Sequence, residues 1–333
     1  MKPTVGLVLG DPCGVGPEVA AKLLAQPEIY DAARVVLVAD ASVFRDGQSV
    51  AGVEVPVVEM SPSDIGSEDL GRPMLVDAGL GPDFTYTPGH ATAEGGRYVL
   101  ATFKKALDLA QNGTVDSVCY APLNKQAMSL GGSPFPDEVH WIANEIDHQG
   151  PMVDCTFLDG LWTARATSHV PIAEVSQNLS QERVIEVAEV IDATLRGVGI
   201  AEPKIAVSAL NPHAGDGGLI GREEIEVLSP AVERLRAAGL AVEGPFSPDT
   251  VFLRGRDGDY DAVVTMYHDQ GQIALKLLGF GRAVSVIGGI SVPVATPAQG
   301  TAFDIVGQGK ASAEGMNAAF RVACDMGRAR RAA

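Results

Sequence analysis

The sequence predicts an α/β protein with largely parallel strands, divided between two domains. Three observations carry that reading. Short β-branched runs alternate with longer stretches of helical period. Helix start and stop residues fall at the junctions between them. The chain, at 333 residues, is also longer than one ordinary hydrophobic core supports. The first domain is expected over residues 1–125 plus 280–333, with glycine-rich loops, and the second over residues 126–279.

Each element follows from local chemistry. "VGLVLG" (5–10) reads as a strand, and Pro17 opens a helix through "EVAAKLLAQ". "RVVLVA" (34–39) is the next strand. "GGRYVLATFKKALDLAQNG" (95–113) is amphipathic and stops at Asn112-Gly113, as a helix end should. "VDSVCYA" (115–121) then reads as a strand. Ser180 caps "QERVIEVAEVIDATLRGVG", with Glu182 in the first turn. Strand "KIAVSAL", helix "EEIEVLSPAVERLRAAG", strands "YDAVVTMY" and "AVSVIG" and a helix near "AEGMNAAFRVACDMG" complete the series. Residues 61–93 are rich in Pro, Gly and Asp and are expected to be excursions from the first domain. The basic tail "GRARRAA" is expected to fray.

Composition excludes several classes. Hydrophobic residues make up 46% and charged residues 20%, within globular norms. No apolar run approaches the roughly 20 residues that span a bilayer, so no membrane role is expected. "MKPTVGLVLG" lacks a cleavage site and reads as no signal peptide. None of Cys13, Cys119, Cys155 and Cys324 forms a CxxC pair. Reduced thiols in a cytoplasmic protein are expected. A net charge of −17 argues against nucleic acid, because phosphate is repelled. It does not exclude small anions, which respond to the local field of a cleft.

Several segments can carry chemistry. In "LGDPCGVGPEVA" a strand ends, glycines including Gly14 and Gly16 allow a tight turn, and Pro17-Glu18 starts a helix. Such a turn can receive an anion or a carbonyl, but the third glycine of the dinucleotide fingerprint is missing, and a plain turn explains it as well. His169, His213 and His268 each close an apolar run. Strand C-terminal ends line one edge of a parallel sheet, where α/β proteins bind ligands. Three imidazoles there suggest a divalent metal site, although a lone histidine is more often structural. Asp216 is a candidate to support such a metal, with an ordinary turn carboxylate as the alternative. Lys125 follows a strand in "APLNKQAM" and is either catalytic or a solvated helix-start lysine. "AQGTAFDIVGQGKA" is a glycine-punctuated loop able to hold an adenosine by backbone contacts, through Gly300, Thr301 and Ala302, with Asp304 as its carboxylate.

Taken in order, these segments resemble the 4-hydroxythreonine-4-phosphate dehydrogenase family. The resemblance rests on Gly10 to Glu18, Ala121 to Lys125, Thr167 to Pro171, Asn211 to Gly215, Tyr267 to Gly271 and Gly300 to Ile305. It implies the two-domain fold of the isocitrate and isopropylmalate dehydrogenases, with a cleft between domains. It implies NAD or NADP and a divalent metal (Zn, Mg, Mn or Co) held by His169, His213 and His268. It also implies a homodimer in which both subunits contribute to a shared active site. Gln299 stands where the family usually has histidine.

The departures concern the substrate. The family's Gly-His-Thr-Glu segment, whose His and Thr touch the substrate phosphate, is replaced by "PFPDEVHW", with Asp137 and Glu138 in or near those positions. Ser285 and Val294 stand where the family has an Asn and an Arg; Lys276 matches. A phosphate beside carboxylates would be repelled and under-bonded. The expectation is therefore a metal-dependent NAD(P)+ dehydrogenase that oxidises a secondary alcohol of a non-phosphorylated hydroxy acid or diol, with decarboxylation where a carboxylate lies β to the new carbonyl. Asp269 is expected as orienter or general base, Lys276 as substrate anchor and Lys125 as a proton-transfer aid. The alternatives are a genuine 4-hydroxythreonine-4-phosphate or phosphorylated sugar acid dehydrogenase, a cis-dihydrodiol carboxylate dehydrogenase, and a non-catalytic binding protein.

Overall fold

A computed structural model describes residues 2–81 and 84–332. Pro82 and Asp83, in the expected excursion, lie outside the described residues. The chain forms two compact units, Met1–Gln149 with Ile290–Ala333, and Gly150–Gly289. Residues 126–149 thus belong with the first unit and 280–289 with the second, whereas the sequence placed the boundaries at 126 and 280.

The first unit begins with β1 (Thr4–Val8), α1 (Gly16–Leu24), α2 (Glu28–Ala32), β2 (Arg34–Ala39), α3 (Ala41–Ala51), β3 (Val58–Glu59), β4 (Met74–Asp77), α4 (Ala93–Gln111), β5 (Ser117–Tyr120), α5 (Lys125–Leu130) and α6 (Glu138–Glu145). The second unit holds β6 (Val153–Leu158), β7 (Leu161–Arg165), α7 (Gln181–Gly197), β8 (Ile205–Ser208), α8 (Ser229–Ala237), β9 (Val242–Phe246), α9 (Val251–Arg256), β10 (Ala262–Thr265), α10 (His268–Gly279) and β11 (Val284–Gly288). The chain returns to the first unit as β12 (Val294–Pro297) and α11 (Glu314–Ala332).

In the first unit the strands run β3-β4-β2-β1-β5-β12, all parallel. Both faces are covered by helices, so the strands read as continuous apolar runs, and β1 and β2 are buried throughout. The helices start where side chains accept orphan amides: Thr92 from Gly95, Asn124 from Ala127 and Asp137 from His140. β4 corrects the expected excursion. Within the Pro/Gly-rich stretch, Met74–Val76 are buried and pair with β2. The tail is corrected too. Arg330 donates to the carbonyls of Asp116 and Ala110, and Arg331 pairs with the Asp116 carboxylate at 2.8 Å, so the last turns are held instead of fraying.

In the second unit the order is β11-β6-β7-β10-β8-β9. The β7, β10, β8 and β9 strands are parallel, and β6 is antiparallel to both β7 and β11. A core of Leu158, Leu161, Val251, Val263 and Leu275 packs α9 and α10 against this sheet. The helix expected over 223–239 opens as a π-turn at Glu224–Leu228 before α8, where Pro230 lacks an amide for the ladder. Among the described residues no helix is long and apolar enough to cross a membrane.

Candidate active site

Two constellations stand at strand ends, one in each unit. In the first unit, Gly10 takes a left-handed turn (φ 69°) after β1, with its ideal Cβ position only 2.3 Å from the Ala121 and Pro122 carbonyl oxygens. Only glycine fits there. Gly14 serves a second close approach: a Cβ would sit 2.8 Å from both Cβ and O of Thr301, and the next amide, Val15 N, donates to Thr301 O at 3.0 Å. The two glycine-rich segments found far apart in the sequence therefore meet at the ends of β1 and β12. Gly16 is used differently. Its Cβ position is 2.1 Å from Leu9 O, which makes it a packing glycine. Gly300 faces open space, Ala302 is left-handed (φ 46°) and Asp304 is exposed. Glu18 is buried, and its charge is met by Lys22 Nζ (2.7 Å) and the Ala311 amide (2.9 Å). Gly14, Gly16 and Thr301 are thus buried, with Gly14 packed on Thr301, and the open backbone of the loop after β12 is at Gly300.

Also in the first unit, Asp137 caps α6, accepting from the His140 amide (3.0 Å) and pairing with His140 Nδ1 (2.6 Å). Partial burial opposes its charge, but the His140 bonds and the charges of His140 and Lys125 outweigh it and hold the carboxyl below its ordinary range. Glu138 lies 3.6 Å from Lys125 Nζ. The α6 N-terminus thus already holds its own anion. Val294 is 1% exposed and offers only hydrocarbon.

In the second unit the loops after β7 and β10 carry His169 and His268. They are brought together because β7 and β10 are parallel neighbours and Thr167 ties them, both its amide (3.1 Å) and its hydroxyl (2.7 Å) donating to Met266 O. The two imidazole centroids are 5.5 Å apart with a 39° tilt. Two imidazoles sharing one ion at Zn–N of roughly 2.0–2.1 Å in tetrahedral geometry have centroids about 5 Å apart, so this pair fits a metal. Asp269 Oδ1 lies 2.7 Å from His268 Nδ1. That bond orients the ring and leaves Nε2 as the free ligand atom.

His213 does not join them. Among the described residues no group of three His, Cys, Asp or Glu side chains is placed to hold a metal. The expected convergence of three histidines is therefore not met within one chain. His213 lies on a turn of residues in left-handed conformation, His213 (φ 53°), Ala214 (54°), Gly215 (77°), Asp216 (45°) and Gly217 (67°). Glu224, 3% exposed, anchors its base by accepting from the amides of Leu210 (3.0 Å) and Asn211 (2.8 Å) and from Asn211 Nδ2 (3.0 Å). Sequence reasoning missed Glu224, whose only signal was an acidic helix start. Lys276 is exposed on α10, one residue past two turns from His268 and seven residues after Asp269, and has no ion-pair partner among the described residues. Ser285, in β11, pairs with Thr156.

Fold and site together define a two-unit α/β chain with glycine-rich strand-end loops on one unit and a pair of neighbouring imidazoles on the other. The family model for the pyridoxal phosphate biosynthetic protein PdxA matches residues 31–323, and the chain belongs to that family. It is 46% identical to a Pseudomonas aeruginosa protein provisionally named 4-hydroxythreonine-4-phosphate dehydrogenase 2, over 98% of this chain and 97% of that one. The crystal structure of 4-hydroxythreonine-4-phosphate dehydrogenase from Klebsiella pneumoniae is similar at 34% identity and a TM-score of 0.87, covering 98% of each chain. A terephthalate 1,2-cis-dihydrodiol dehydrogenase from Burkholderia xenovorans is similar at 31% identity and 0.70, covering 97% of this chain and 98% of that one.

Proposed function

We propose that this chain is a metal-dependent NAD(P)+ dehydrogenase that oxidises a secondary alcohol of a phosphorylated four-carbon hydroxy acid. The observation that carries the reading is the His169–His268 pair with Asp269 behind it, in a chain similar along its length to proteins named as 4-hydroxythreonine-4-phosphate dehydrogenases. Those names move the weight from the non-phosphorylated substrate expected from the pocket to the phosphorylated one. The non-catalytic alternative has the least support among them.

A bound divalent ion would supply the charge that acidifies the alcohol, and the nicotinamide ring the acceptor for its hydride. The alcohol C–H leaves as hydride and the O–H as a proton, giving a ketone, NAD(P)H and H+. His169 and His268 would hold the ion, with Asp269 Oδ1, bonded to His268 Nδ1, leaving Nε2 for it. The other Asp269 oxygen has no protein partner among the described residues and can take the proton. Lys276, on the Asp269 side of α10, binds a substrate anion. Where a substrate carries a carboxylate β to the new ketone, a bound ion would also supply positive charge for decarboxylation, with Lys276 as the chain's own cation there.

A homodimer completes the site. Among the described residues one chain brings two imidazoles together, and α10, which starts at His268, leaves Ile273, Leu277 and Phe280 exposed toward its far end. Such an apolar face suits a second copy, whose residues would supply the remaining coordination.

A second reading keeps a non-phosphorylated, carboxylated diol as substrate. Asp137, held ionised at the start of α6, favours it, and so does the Burkholderia relative's name. Steady-state NAD(P)H formation with 4-phosphohydroxy-L-threonine, D-threonate 4-phosphate and a cyclic dihydrodiol carboxylate separates the readings. A kcat/KM of about 10⁴ M⁻¹s⁻¹ or more for a phosphorylated acid supports the first. Turnover of the diol alone establishes the second, and no turnover of any of the three refutes both.

A further inference from the structure

We propose that Arg165, at the end of β7, binds the carboxylate of the substrate, and that Asp154 and Ser168 hold its guanidinium in place to do so. The assignment rests on the dehydrogenase reading, since that reading supplies the hydroxy acid.

Strand register puts Arg165 at the corner that carries the imidazoles. Alternate residues of a strand share a face. Asp154 and Thr156 therefore lie with Leu158 on β6, and Thr163 and Arg165 with Leu161 on β7. Leu158 and Leu161 pack with Leu275 of α10, so Arg165 is on the sheet face that α10 covers. Gln272 stands one turn after His268 on the same side of α10 and donates from Nε2 to Thr156 Oγ1 at 3.2 Å. Arg165 approaches from the sheet. Its Nε donates to Ser168 Oγ at 3.0 Å, and Ser168 directly precedes His169.

The guanidinium is fixed but not used up. Arg165 faces Asp154 one step beyond the Cys155–Ala164 pair of the β6–β7 ladder, and its Nη2 bonds Asp154 Oδ2 at 2.7 Å. That ladder already joins the strands, and a partly exposed ion pair adds little to it. Two of the five N–H donors of a guanidinium are engaged among the described residues, which leaves three. The side chain is 12% exposed, so these donors are mostly withdrawn from water yet still reachable. Such donors gain from an ionised acceptor. Asp154 balances the charge of Arg165, so the attraction comes from directed donors and not from a net field. A planar carboxylate matches a guanidinium edge with two parallel bonds. A lysine offers no such fork, which leaves Lys276 as the point charge for the phosphate.

Two ligands test this: D-threonate 4-phosphate, and D-threitol 4-phosphate, which has CH2OH in place of the carboxylate. Both are titrated calorimetrically into the full chain, beside steady-state rates with the acid. The wild type should bind the acid about tenfold or more tighter than the alcohol. Arg165→Leu should bring that ratio to near unity and raise KM by the same factor, with kcat changed only a few-fold and binding of the alcohol unchanged. Arg165→Lys should fall between, and its ratio decides the matter if Arg165→Leu does not fold. Ser168→Ala keeps the guanidinium and removes only its bond to the His169 loop, so it should keep the wild-type preference for the acid. Equal weakening of both ligands in Arg165→Leu, or the same loss in Ser168→Ala, would show that Arg165 only positions the loop and would overturn the assignment. If the wild type still oxidises the acid in that case, the dehydrogenase reading stands and the carboxylate seat alone falls. If the wild type neither binds nor oxidises the acid, both fall.

Discussion

Glu224→Ala should disable the His213 turn while leaving most of the fold intact. Glu224 accepts from two backbone amides and one side-chain amide at 2.8–3.0 Å in a buried setting. Orphaning the two backbone donors costs about 1–3 kcal/mol each, so about 2–6 kcal/mol in all. The turn stores strain of its own. His213, Ala214 and Asp216 are non-glycine residues in the left-handed region, at about 1 kcal/mol or more each. Without the anchor, the turn can relax to right-handed conformations and recover about 3 kcal/mol of that strain. The net loss of global stability should then be at most about 3 kcal/mol, although the position of His213 is lost. Urea melts measure the first quantity. Cobalt(II) titration and amide exchange over residues 213–217 measure the second. Glu224→Gln keeps one acceptor oxygen and should fall between wild type and Glu224→Ala. Wild-type cobalt affinity and amide protection in Glu224→Ala would show that the turn holds itself and that the reasoning is wrong.

Three further outcomes are expected. Asp11 is buried with Oδ2 unpartnered, and burial raises its pKa against the opposing Cys13 bonds. A carboxyl raised above its unfolded value of about 3.9 costs stability as pH rises from there through the folded pKa, so Asp11→Asn should gain relative to wild type as pH is raised above that unfolded value in urea melts; a constant difference would contradict this. Cys13, Cys119, Cys155 and Cys324 are all free and buried, and burial lifts every one of these thiols, Cys155 and Cys324 to about 12. Ellman's reagent should therefore find four thiols in denaturant and almost none promptly in the native protein. Leu277→Asp and Phe280→Asp, at positions 83% and 84% exposed, should shift sedimentation from dimer to monomer and abolish activity together; a monomeric, fully active wild type would remove the shared site.

The sequence by itself determined the alternation of strands and helices, the glycine positions and the family. Each is written in a few adjacent side chains. Valine runs suit strands buried on both faces, Ser180 caps the helix after it, and Gly10 and Gly14 mark turns where a Cβ would strike backbone. Elements whose stability comes from distant partners were not legible. "PMLVD" became a buried strand only because β2 and β3 pair with it on either side. The last arginines are ordered by Asp116, far away in sequence. Residues 126–149 carry no local mark of the unit they join; Trp141 settles it by packing on Phe103. The site divides in the same way. His169, His213 and His268 could all be picked out as strand-end residues. That the first and third meet, while His213 stands apart on a left-handed turn held by Glu224, was decided only by tertiary structure. Strand adjacency and buried hydrogen bonds fix distances between side chains, and neither is encoded in the residues next to a histidine.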